Sequence, residues 1–501
     1  MLESDKMKTV EVAAAEVHVA HSVGASSVTK WLKAYWAIFP LLLLVADFYW
    51  ILWGNLAAIV LGIVLLGIVG IDVLILKSAA IVTLRRYWPV IAVLAIISLS
   101  MYIRLFGYFT PDGGTRWPYL RNIDSYYFLR HTETMQLNNG IFPTHDNLIL
   151  APLGVDYGPG WWLYMYLSFY LFSFVNFFVG TTLPYFMAWF SALLASLIAI
   201  PAYFAAKCLF DRKAGILASL FMILTTPFMS RSLGGDPDSD SIVMLMTIIS
   251  IALFLILYKR RNKENILAKK NILLAVLMGL SLALFAYSWA GYWLPFWIVG
   301  SFIIIKIIAD FLLHRKHKED HMRAVWKHTK SLVALSLLAL VVFWIITVPY
   351  FGIHFAGDFV TTPLGEVFGG GYKGETGQFP NVLVSVAEAQ AGGDARNVAV
   401  QAAGLDTAAG ISGLPMALLT IVSPFLLTLA CFVYLGYSYY KRREHLDTLL
   451  FMGIWFFGFL FASTIAVRFT IFLAPVYAIC SGIMLAKLWR VATGEDRSLG
   501  A

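Results

Sequence analysis

Three carboxylates lie within five residues of one another, at Asp236, Asp238 and Asp240 in the segment SRSLGGDPDSDSIVM between two long apolar runs. Hard divalent cations such as Mg²⁺ and Mn²⁺ prefer carboxylate oxygens and leave coordination positions open for phosphate oxygens. Asp238 and Asp240 form a DxD pair, whereas Asp236 is interpreted as a solvated residue rather than a third ligand. The spacing predicts a cation site that serves chemistry on a phosphate.

Five further residues have types and positions that suit such a site. Asp124 lies in NIDSYYFLR, and its alternative role is a helix cap or a solvated loop position. Glu388 lies in LVSVAEAQ, where an exposed position on an amphipathic helix is the alternative. Arg468 opens an apolar run, so it either reaches lipid headgroups or meets an anion such as pyrophosphate. Trp289 and Tyr292 in YSWAGYW are belt aromatics or line the site.

The composition identifies the elements that must position these residues. The 501-residue chain is 60% hydrophobic and only 13% charged, which is too apolar for a soluble protein of this size. Its net charge of +8 comes from short basic clusters between apolar runs, so these clusters indicate membrane topology and not nucleic-acid binding. The three cysteines have no CxxC spacing, which argues against a disulfide framework or a thiolate metal site.

The apolar runs predict an all-α polytopic membrane protein of about twelve transmembrane helices, because about 20 apolar residues cross a bilayer as a helix. The predicted spans are 36–53, 55–76, 88–106, 183–208, 213–229, 241–258, 272–288, 292–309, 332–350, 414–437, 448–466 and 469–488.

Alternate connections between the spans carry the lysines and arginines, and by the positive-inside rule they are cytoplasmic. All the candidate residues then share the extracytoplasmic face. This topology requires that the aromatic segment 161–179 does not span, and its density of Trp, Tyr and Phe suits a helix at the membrane interface.

Two extracytoplasmic segments are long enough to be functional loops. The predicted organisation is a cytoplasmic polar N-terminus, an extra transmembrane hairpin, a catalytic transmembrane domain with three outer segments, and a short C-terminal tail. The respective residues are 1–30, 31–87, 88–488 (outer loop 107–182, DxD loop 230–240, outer loop 351–413) and 489–501.

Four motifs in their order along the chain resemble the catalytic subunit of oligosaccharyltransferase, the single-subunit archaeal and bacterial type with a GT-C fold. DSYYFLR resembles the first-loop aspartate motif, and SRSLGGDPDSD resembles the arginine plus DxD signature. SVAE resembles a loop motif ending in glutamate, and AVRFTIFLAPVYA resembles a late span that opens with a pyrophosphate-binding arginine. The resemblance covers about residues 90 to 488.

The resemblance implies metal-dependent, inverting transfer of a preassembled glycan from a dolichyl or polyprenyl phosphate carrier to asparagine side chains. It assigns Asp124, Asp238, Asp240 and Glu388 to a divalent Mn²⁺ or Mg²⁺ ion, with Arg231 anchoring the loop. Asp124 and Glu388 would also contact the acceptor amide. Arg468, Tyr292, Trp289 and Arg231 would bind substrate at the outer face of the cell membrane.

The sequence departs from that family because it contains no WWDYG-type motif; its WW pair, Trp161 and Trp162, is followed by leucine. A fragment, a soluble sequon-recognising domain on a separate chain, and a different acceptor all remain open. Another GT-C glycosyltransferase that uses a lipid-phosphate sugar, such as a protein O-mannosyltransferase, is the alternative enzyme. A secondary transporter is the alternative outside enzymes, although its carboxylates would lie near the bilayer midplane.

Overall fold

The structure, a computed structural model, describes residues 79–109, 120–149, 151–160, 162–260, 268–313, 318–368 and 424–493. These residues form fifteen α-helices, two 3₁₀ segments and one two-stranded antiparallel sheet. The helices are α1 (Ala79–Phe109), α2 (Ile123–Leu137), α3 (Leu163–Val179), α4 (Leu183–Leu197), α5 (Ala199–Leu209), α6 (Arg212–Leu224), α7 (Thr226–Met229), α8 (Asp240–Arg260), α9 (Lys269–Ala286), α10 (Leu294–Leu313), α11 (Lys318–Phe351), α12 (Phe355–Phe368), α13 (Pro424–Arg442), α14 (Leu446–Ile465) and α15 (Ala474–Ala492). The strands are β1 (His145–Asp146) and β2 (Val155–Asp156), and the 3₁₀ segments are Ala290–Trp293 and Val467–Leu473.

Eight segments of the described chain are long and apolar enough to cross a membrane, so the protein is an integral membrane protein. Each of them matches one of the twelve predicted spans. They are Tyr87–Phe106, Leu183–Leu209, Asp240–Arg260, Lys269–Ala286, Ala290–Leu312, Thr329–Phe351, Leu446–Ile465 and Val467–Ala492.

The other four predicted spans have different outcomes. The predicted spans 36–53 and 55–76 lie outside the described residues. The predicted span 213–229 is divided at the extended residue Thr225 into α6 and the short helix α7, because Pro227 has no N–H to continue a helical ladder. The predicted span 414–437 corresponds to α13, which begins at Pro424 and is not among the eight apolar segments.

The aromatic helix α3 has 17 residues and is about 25 Å long at 1.5 Å per residue, which is shorter than the roughly 30 Å hydrocarbon core. It ends at Gly180, whose φ of 65° is the left-handed conformation that glycine adopts readily. Its position at the membrane interface stays a prediction.

The helices α6 and α15 pack through small residues. A Cβ atom placed on Gly482 of α15 would lie 2.6 Å from the backbone nitrogen of Ala218 and 2.7 Å from the carbonyl oxygen of Ala214, both on α6. Close backbone approach at glycine and alanine is typical of helix pairs in membranes, where dispersion contacts replace the hydrophobic effect. This contact places α7, which continues from α6, next to the segment that precedes α15.

The chain divides into two compact units, Met1–Leu99 and Ser100–Ala501. The predicted end of the extra hairpin, residue 87, lies inside α1, so helix begins before the expected domain boundary. Every residue of the candidate site in the described part of the chain belongs to the second unit.

Candidate active site

The aspartate loop, residues 230–239, connects α7 to α8 and is held by backbone hydrogen bonds. The N–H of Gly235 donates to the carbonyl oxygen of Ala188 (2.7 Å), and the N–H of Gly234 donates to that of Arg104 (2.9 Å). Gly235 has a φ of 79°, and a Cβ atom there would overlap the ring of Tyr108. Glycine is therefore required at this position for both its conformation and its lack of a side chain.

Arg104 on α1 holds the aspartate loop through hydrogen bonds. It is fully buried, and its Nε donates to the Ser232 hydroxyl at 3.0 Å. One of its terminal nitrogens donates to Ser100 (2.6 Å) and to the carbonyl oxygen of Ile223 (3.2 Å), and the guanidinium lies 5.4 Å from the ring centre of Phe228. Sequence reasoning missed this residue, although an arginine inside the apolar run 88–106 is a signal for an internal polar contact.

Asp238 is fixed through its backbone by Ser191 of α4. The Asp238 N–H donates to the Ser191 hydroxyl at 3.1 Å, and that hydroxyl donates to the Asp238 carbonyl oxygen at 3.3 Å. The Ser191 oxygen also lies 2.8 Å from the hydroxyl of Tyr164, a fully buried residue of α3. These backbone and hydroxyl contacts fix the loop. The Asp238 carboxylate accepts hydrogen bonds from Ser239, one from its hydroxyl at 3.2 Å and one from its backbone N–H.

The electrostatic environment of Asp238 favours an added cation. Burial raises the pKa of Asp238 to about 8, and repulsion from Asp240 and then Asp236 adds to this effect. A carboxyl group with this environment gains more from a nearby positive charge than an exposed one does. Carboxylate oxygens in such an environment are donors that suit a hard divalent cation.

Asp236 has a role that differs from the prediction. It is partly buried rather than solvated, and its carboxylate accepts a hydrogen bond of 2.8 Å from the hydroxyl of Ser125. Ser125 follows Asp124 in the first turn of α2, so this bond joins the first-loop helix to the aspartate loop. Asp124 itself is exposed. Nothing in the sequence pattern pointed to Ser125.

A cavity of about 260 Å³ adjoins the end of the aspartate loop. It brings together four residues that the sequence singled out at widely separated positions: Arg231, Asp240, Trp289 and Arg468. Arg231 lies 3.6 Å from a carboxylate oxygen of Asp240, and its role as an anchor of the loop stays a prediction. Arg468 and Arg231 together give the cavity wall two cations, and guanidinium groups suit phosphate oxygens.

Trp289 positions Arg468 at this cavity. The Arg468 guanidinium carbon lies 5.1 Å from the Trp289 ring centre, within the range of a cation–π contact. The Trp289 ring also stacks on Phe472, at 5.7 Å with an interplanar angle of 18°. The Val467–Leu473 3₁₀ segment supplies both Arg468 and Phe472, so the local backbone and the ring set one another's positions.

Among the described residues, three predicted site residues do not line the cavity: Asp124, Asp238 and Tyr292. Tyr292 is buried and stacks on Phe355 at 4.6 Å and on Phe343 at 5.7 Å. Its hydroxyl has no hydrogen-bond partner among the described residues. Glu388 lies outside the described residues.

The predicted metal ligands are only partly assembled by the part of the chain that the structure describes. No group of three or more His, Cys, Asp or Glu side chains in those residues is arranged to hold a metal. Asp124, Asp238 and Asp240 therefore do not form a metal site by themselves, because Asp124 is exposed on α2 and Asp240 is shared with Arg231. The donor chemistry fits a divalent cation, and Glu388 is the remaining predicted ligand.

Residues 90–493 match the family model described as "Oligosaccharyl transferase STT3, N-terminal". Two curated relatives are dolichyl-phosphooligosaccharide-protein glycotransferases. The one from Methanocaldococcus jannaschii is 27% identical over 221 residues, which are 44% of this chain and 22% of the relative. The one from Methanococcus voltae is 23% identical over 303 residues, which are 56% of this chain and 32% of the relative.

Solved structures of the Archaeoglobus fulgidus oligosaccharyltransferase share the fold. The apo form has a TM-score of 0.58 at 17% identity and is matched over 82% of this chain and 52% of its own length. The complex with an inhibitory peptide and a dolichol-phosphate has a TM-score of 0.54 at 17% identity, with coverages of 83% and 52%. The chain thus spans about half the length of these structures and a third or less of the two curated relatives.

Proposed function

This chain belongs to the oligosaccharyl transferase STT3 family, and on that premise we propose that it transfers a preassembled oligosaccharide from a dolichyl or polyprenyl phosphate carrier to asparagine side chains of proteins. The observation that carries the proposal is the cavity in which Arg231, Asp240, Trp289 and Arg468 meet. These residues come from three separate segments of the chain, and they combine a carboxylate with two guanidinium groups. Such a combination suits a phosphate-linked donor.

The donor phosphate binds to Arg468, in this proposal, with Arg231 beside it. Arg468 is held over Trp289, so its charge is positioned before the donor arrives. A preorganised cation stabilises the negative charge that develops on the leaving phosphate without costing reorganisation during the reaction.

The acceptor amide requires activation, because its nitrogen lone pair is delocalised into the carbonyl group. Rotation of an amide C–N bond out of conjugation costs about 18 to 20 kcal/mol. Asp124 and Glu388 are proposed to accept the two N–H hydrogens of the asparagine amide and so favour a twisted amide with a localised lone pair. Attack at the anomeric carbon with displacement of the phosphate inverts its configuration.

Asp124, Asp238, Asp240 and Glu388 are the residues that would hold a divalent cation, Mn²⁺ or Mg²⁺. When bound, such an ion supplies Lewis-acid stabilisation of phosphate oxygens. A related structure of the Archaeoglobus fulgidus enzyme, with a TM-score of 0.56, is a complex with Zn and sulfate. The divalent ion and the sulfate of that complex support the proposed pairing of cation and oxyanion here.

The active site is proposed to face the extracytoplasmic side of the cell membrane, since the basic connections lie at the opposite ends of the spans. One related solved structure is tethered to an acceptor peptide containing an NVT sequon. We propose an Asn-X-Ser/Thr acceptor for this chain also, with a sequon-recognising domain supplied on a separate chain or on a longer form of this one.

The test is glycan transfer by the purified chain to a fluorescent Asn-X-Thr peptide from a lipid-linked oligosaccharide, with Mn²⁺ or with a chelator. Transfer is expected with Mn²⁺ and not with chelator, and NMR of the product linkage should show inversion. The peptide is tested at high concentration, which compensates for weak sequon binding. No transfer with Mn²⁺ from any lipid-linked donor would defeat the proposed activity.

Asp238→Ala and Glu388→Ala should each abolish transfer while membrane insertion and melting temperature are retained. Asp156→Ala is the matched control, because Asp156 has an 88% exposed side chain and lies on β2 away from the cavity lining. Full activity in both site variants would overturn the site assignment and leave the family membership untouched.

A further inference from the structure

A second cavity, of about 730 Å³, lies at the opposite end of the helices from the aspartate loop. Helix α8 runs from Asp240 beside the first cavity to Tyr258 and Lys259 in the lining of the second. At 1.5 Å per residue, these 21 residues span about 30 Å, the thickness of the hydrocarbon core. The second cavity therefore lies at the other membrane surface, and it is outside the catalytic arrangement.

The two aspartates of this cavity accept hydrogen bonds from donors that also line it. The Lys306 ammonium donates to Asp310 at 2.5 Å and pairs with Asp447 at 2.9 Å. The Tyr258 hydroxyl donates to the second oxygen of Asp447 at 2.5 Å. Lys306 is partly buried, so this network is a fixed wall of the cavity rather than a mobile surface pair.

The rim of the cavity carries cations beyond this network. Lys259 and Arg443 are both exposed and both line it. Lys259 makes one long contact, 3.4 Å to a backbone carbonyl oxygen, and the Arg443 guanidinium lies 5.2 Å from the ring centre of Tyr439. Neither of these contacts neutralises a positive charge. The lining therefore carries three cationic side chains against two carboxylates, and the two cations outside the network give the rim its positive charge.

His445 lies at the same rim, between Arg443 and the first turn of α14. Burial lowers the pKa of His445, and Lys487 and Arg490 lower it further against an opposing effect of Glu444. Of these two α15 cations, Arg490 is paired with Asp211, so Lys487 is the one that adds positive charge beside the ring. A bound anion would relieve repulsion among these groups.

The backbone at the rim is held in a conformation that non-glycine residues rarely adopt. Arg443 and His445 have φ values of 58° and 63°, and both are cavity-lining residues in the turn between α13 and α14. Left-handed backbone at two such residues persists where the surrounding structure requires it, and such positions cluster at ligand sites.

We propose that this second cavity is a binding site for a phosphate-bearing anion, in the first place the headgroup of an anionic phospholipid in the adjacent leaflet. Its volume is within the usual range of ligand pockets. Basic pockets between transmembrane helices suit anionic headgroups, and Lys259 and Arg443 supply two cations from separate segments of the lining. Free inorganic phosphate has the same chemistry and is the second source to be distinguished.

Cys208 provides a direct probe of occupancy, because it lines this cavity and is partly exposed. The other two cysteines, Cys431 and Cys480, are fully buried. Maleimide labelling of the folded full-length chain should therefore report on Cys208. This measurement needs no glycan transfer, so its result is independent of the proposed enzymatic activity.

The experiment measures the Cys208 labelling rate in nanodiscs of phosphatidylcholine, of phosphatidylcholine with phosphatidylglycerol, and of phosphatidylcholine with added inorganic phosphate. Phosphatidylglycerol is expected to slow labelling about fivefold. Lys259→Gln and Arg443→Asn should each reduce that protection severalfold. Asparagine tolerates the left-handed backbone at position 443, so the turn is retained.

Lys441→Gln is the matched control, because Lys441 is an exposed cation near the same turn that does not line the cavity. In this variant, phosphatidylglycerol should slow Cys208 labelling as much as it does in the unmodified chain. Protection by inorganic phosphate as well would support the site with a free-phosphate source. Equal labelling in all three preparations, or protection that persists in both lining variants with unchanged melting temperature, would overturn the proposal.

Discussion

The aspartates at the two ends of the transmembrane helices differ in their ion pairs. At one end, Asp236 and Asp238 lie in the aspartate loop, Asp240 begins the helix that follows it, and Arg231 lies 3.6 Å from Asp240. At the other end, Asp310 and Asp447 share Lys306 at 2.5 and 2.9 Å. The first arrangement crowds carboxylates that repel one another, whereas in the second a single lysine bridges both carboxylates and offsets part of their charge.

This difference distinguishes carboxylates that serve the reaction from carboxylates that hold helices together. When burial and like charges raise the pKa of a carboxyl group, as at Asp238, a cation bound nearby stabilises its ionised form. A carboxylate in a lysine and tyrosine network joins helices, as Asp447 joins α14 to α8 and α10. Removal of the first kind should affect activity, and removal of the second should affect stability.

The sharpest test of the comparison exchanges one aspartate at each end for asparagine. Asp238→Asn should lower glycan transfer by about 100-fold or more, equivalent to about 3 kcal/mol in the barrier, with an unchanged or higher melting temperature. Asp447→Asn should lower the melting temperature and keep most of the activity. Transfer rates and melting curves are measured for both variants. A large loss of stability in Asp238→Asn together with a large loss of transfer in Asp447→Asn would contradict the comparison.

A second test concerns the backbone that shapes the aspartate loop. Gly235→Ala should cost about 1 to 3 kcal/mol and lower transfer at least tenfold, because a Cβ atom there overlaps Tyr108 and the φ is positive. Gly180→Ala is the matched control, since its φ is also positive and the space around it is open. Similar transfer rates in the two variants would show that loop geometry does not limit the reaction.

A third test removes the internal counter-charge. Lys306→Met should destabilise the protein by about 1 to 3 kcal/mol, because it leaves Asp310 and Asp447 partly buried without their shared donor. Thermal unfolding in detergent measures this effect. The double variant Lys306→Met with Asp447→Asn should recover part of the loss, and no recovery would argue against the coupling.

The smallest expected effect concerns pH in the outer loop. A hydrogen bond from the Leu148 N–H and the nearby Arg130 hold the pKa of Asp146 below its ordinary value. A lowered folded-state pKa means that the stabilisation is complete above the unfolded pKa, near 4, and is lost as the pH falls through the folded value. Asp146→Asn should therefore flatten the loss of melting temperature between about pH 5 and pH 3. An equally steep loss in the variant would assign that acid sensitivity to other groups.

Eight of the predicted spans followed from sequence, because hydropathy and charge in lipid are properties of short segments. The sequence offered Arg231, Asp240, Trp289 and Arg468 only as separate candidates, and their grouping around one cavity comes from the structure. The break at Thr225 was missed, since a single proline divides an apolar run without altering its composition. Tyr292 was expected to bind substrate, but it packs against Phe355 and Phe343 and is not in the cavity lining, because motif proximity does not specify side-chain direction.

By itself, the sequence determined the class of protein, the apolar segments and the residue types available for catalysis. These depend on local composition and on the cost of charge in hydrocarbon. Only the tertiary structure decided that Arg104 and Ser191 hold the aspartate loop and that Ser125 joins Asp236 to the first outer helix. Those contacts connect residues 47 to 128 positions apart, and hydrogen-bond geometry over such separations is set by helix packing that no local pattern encodes.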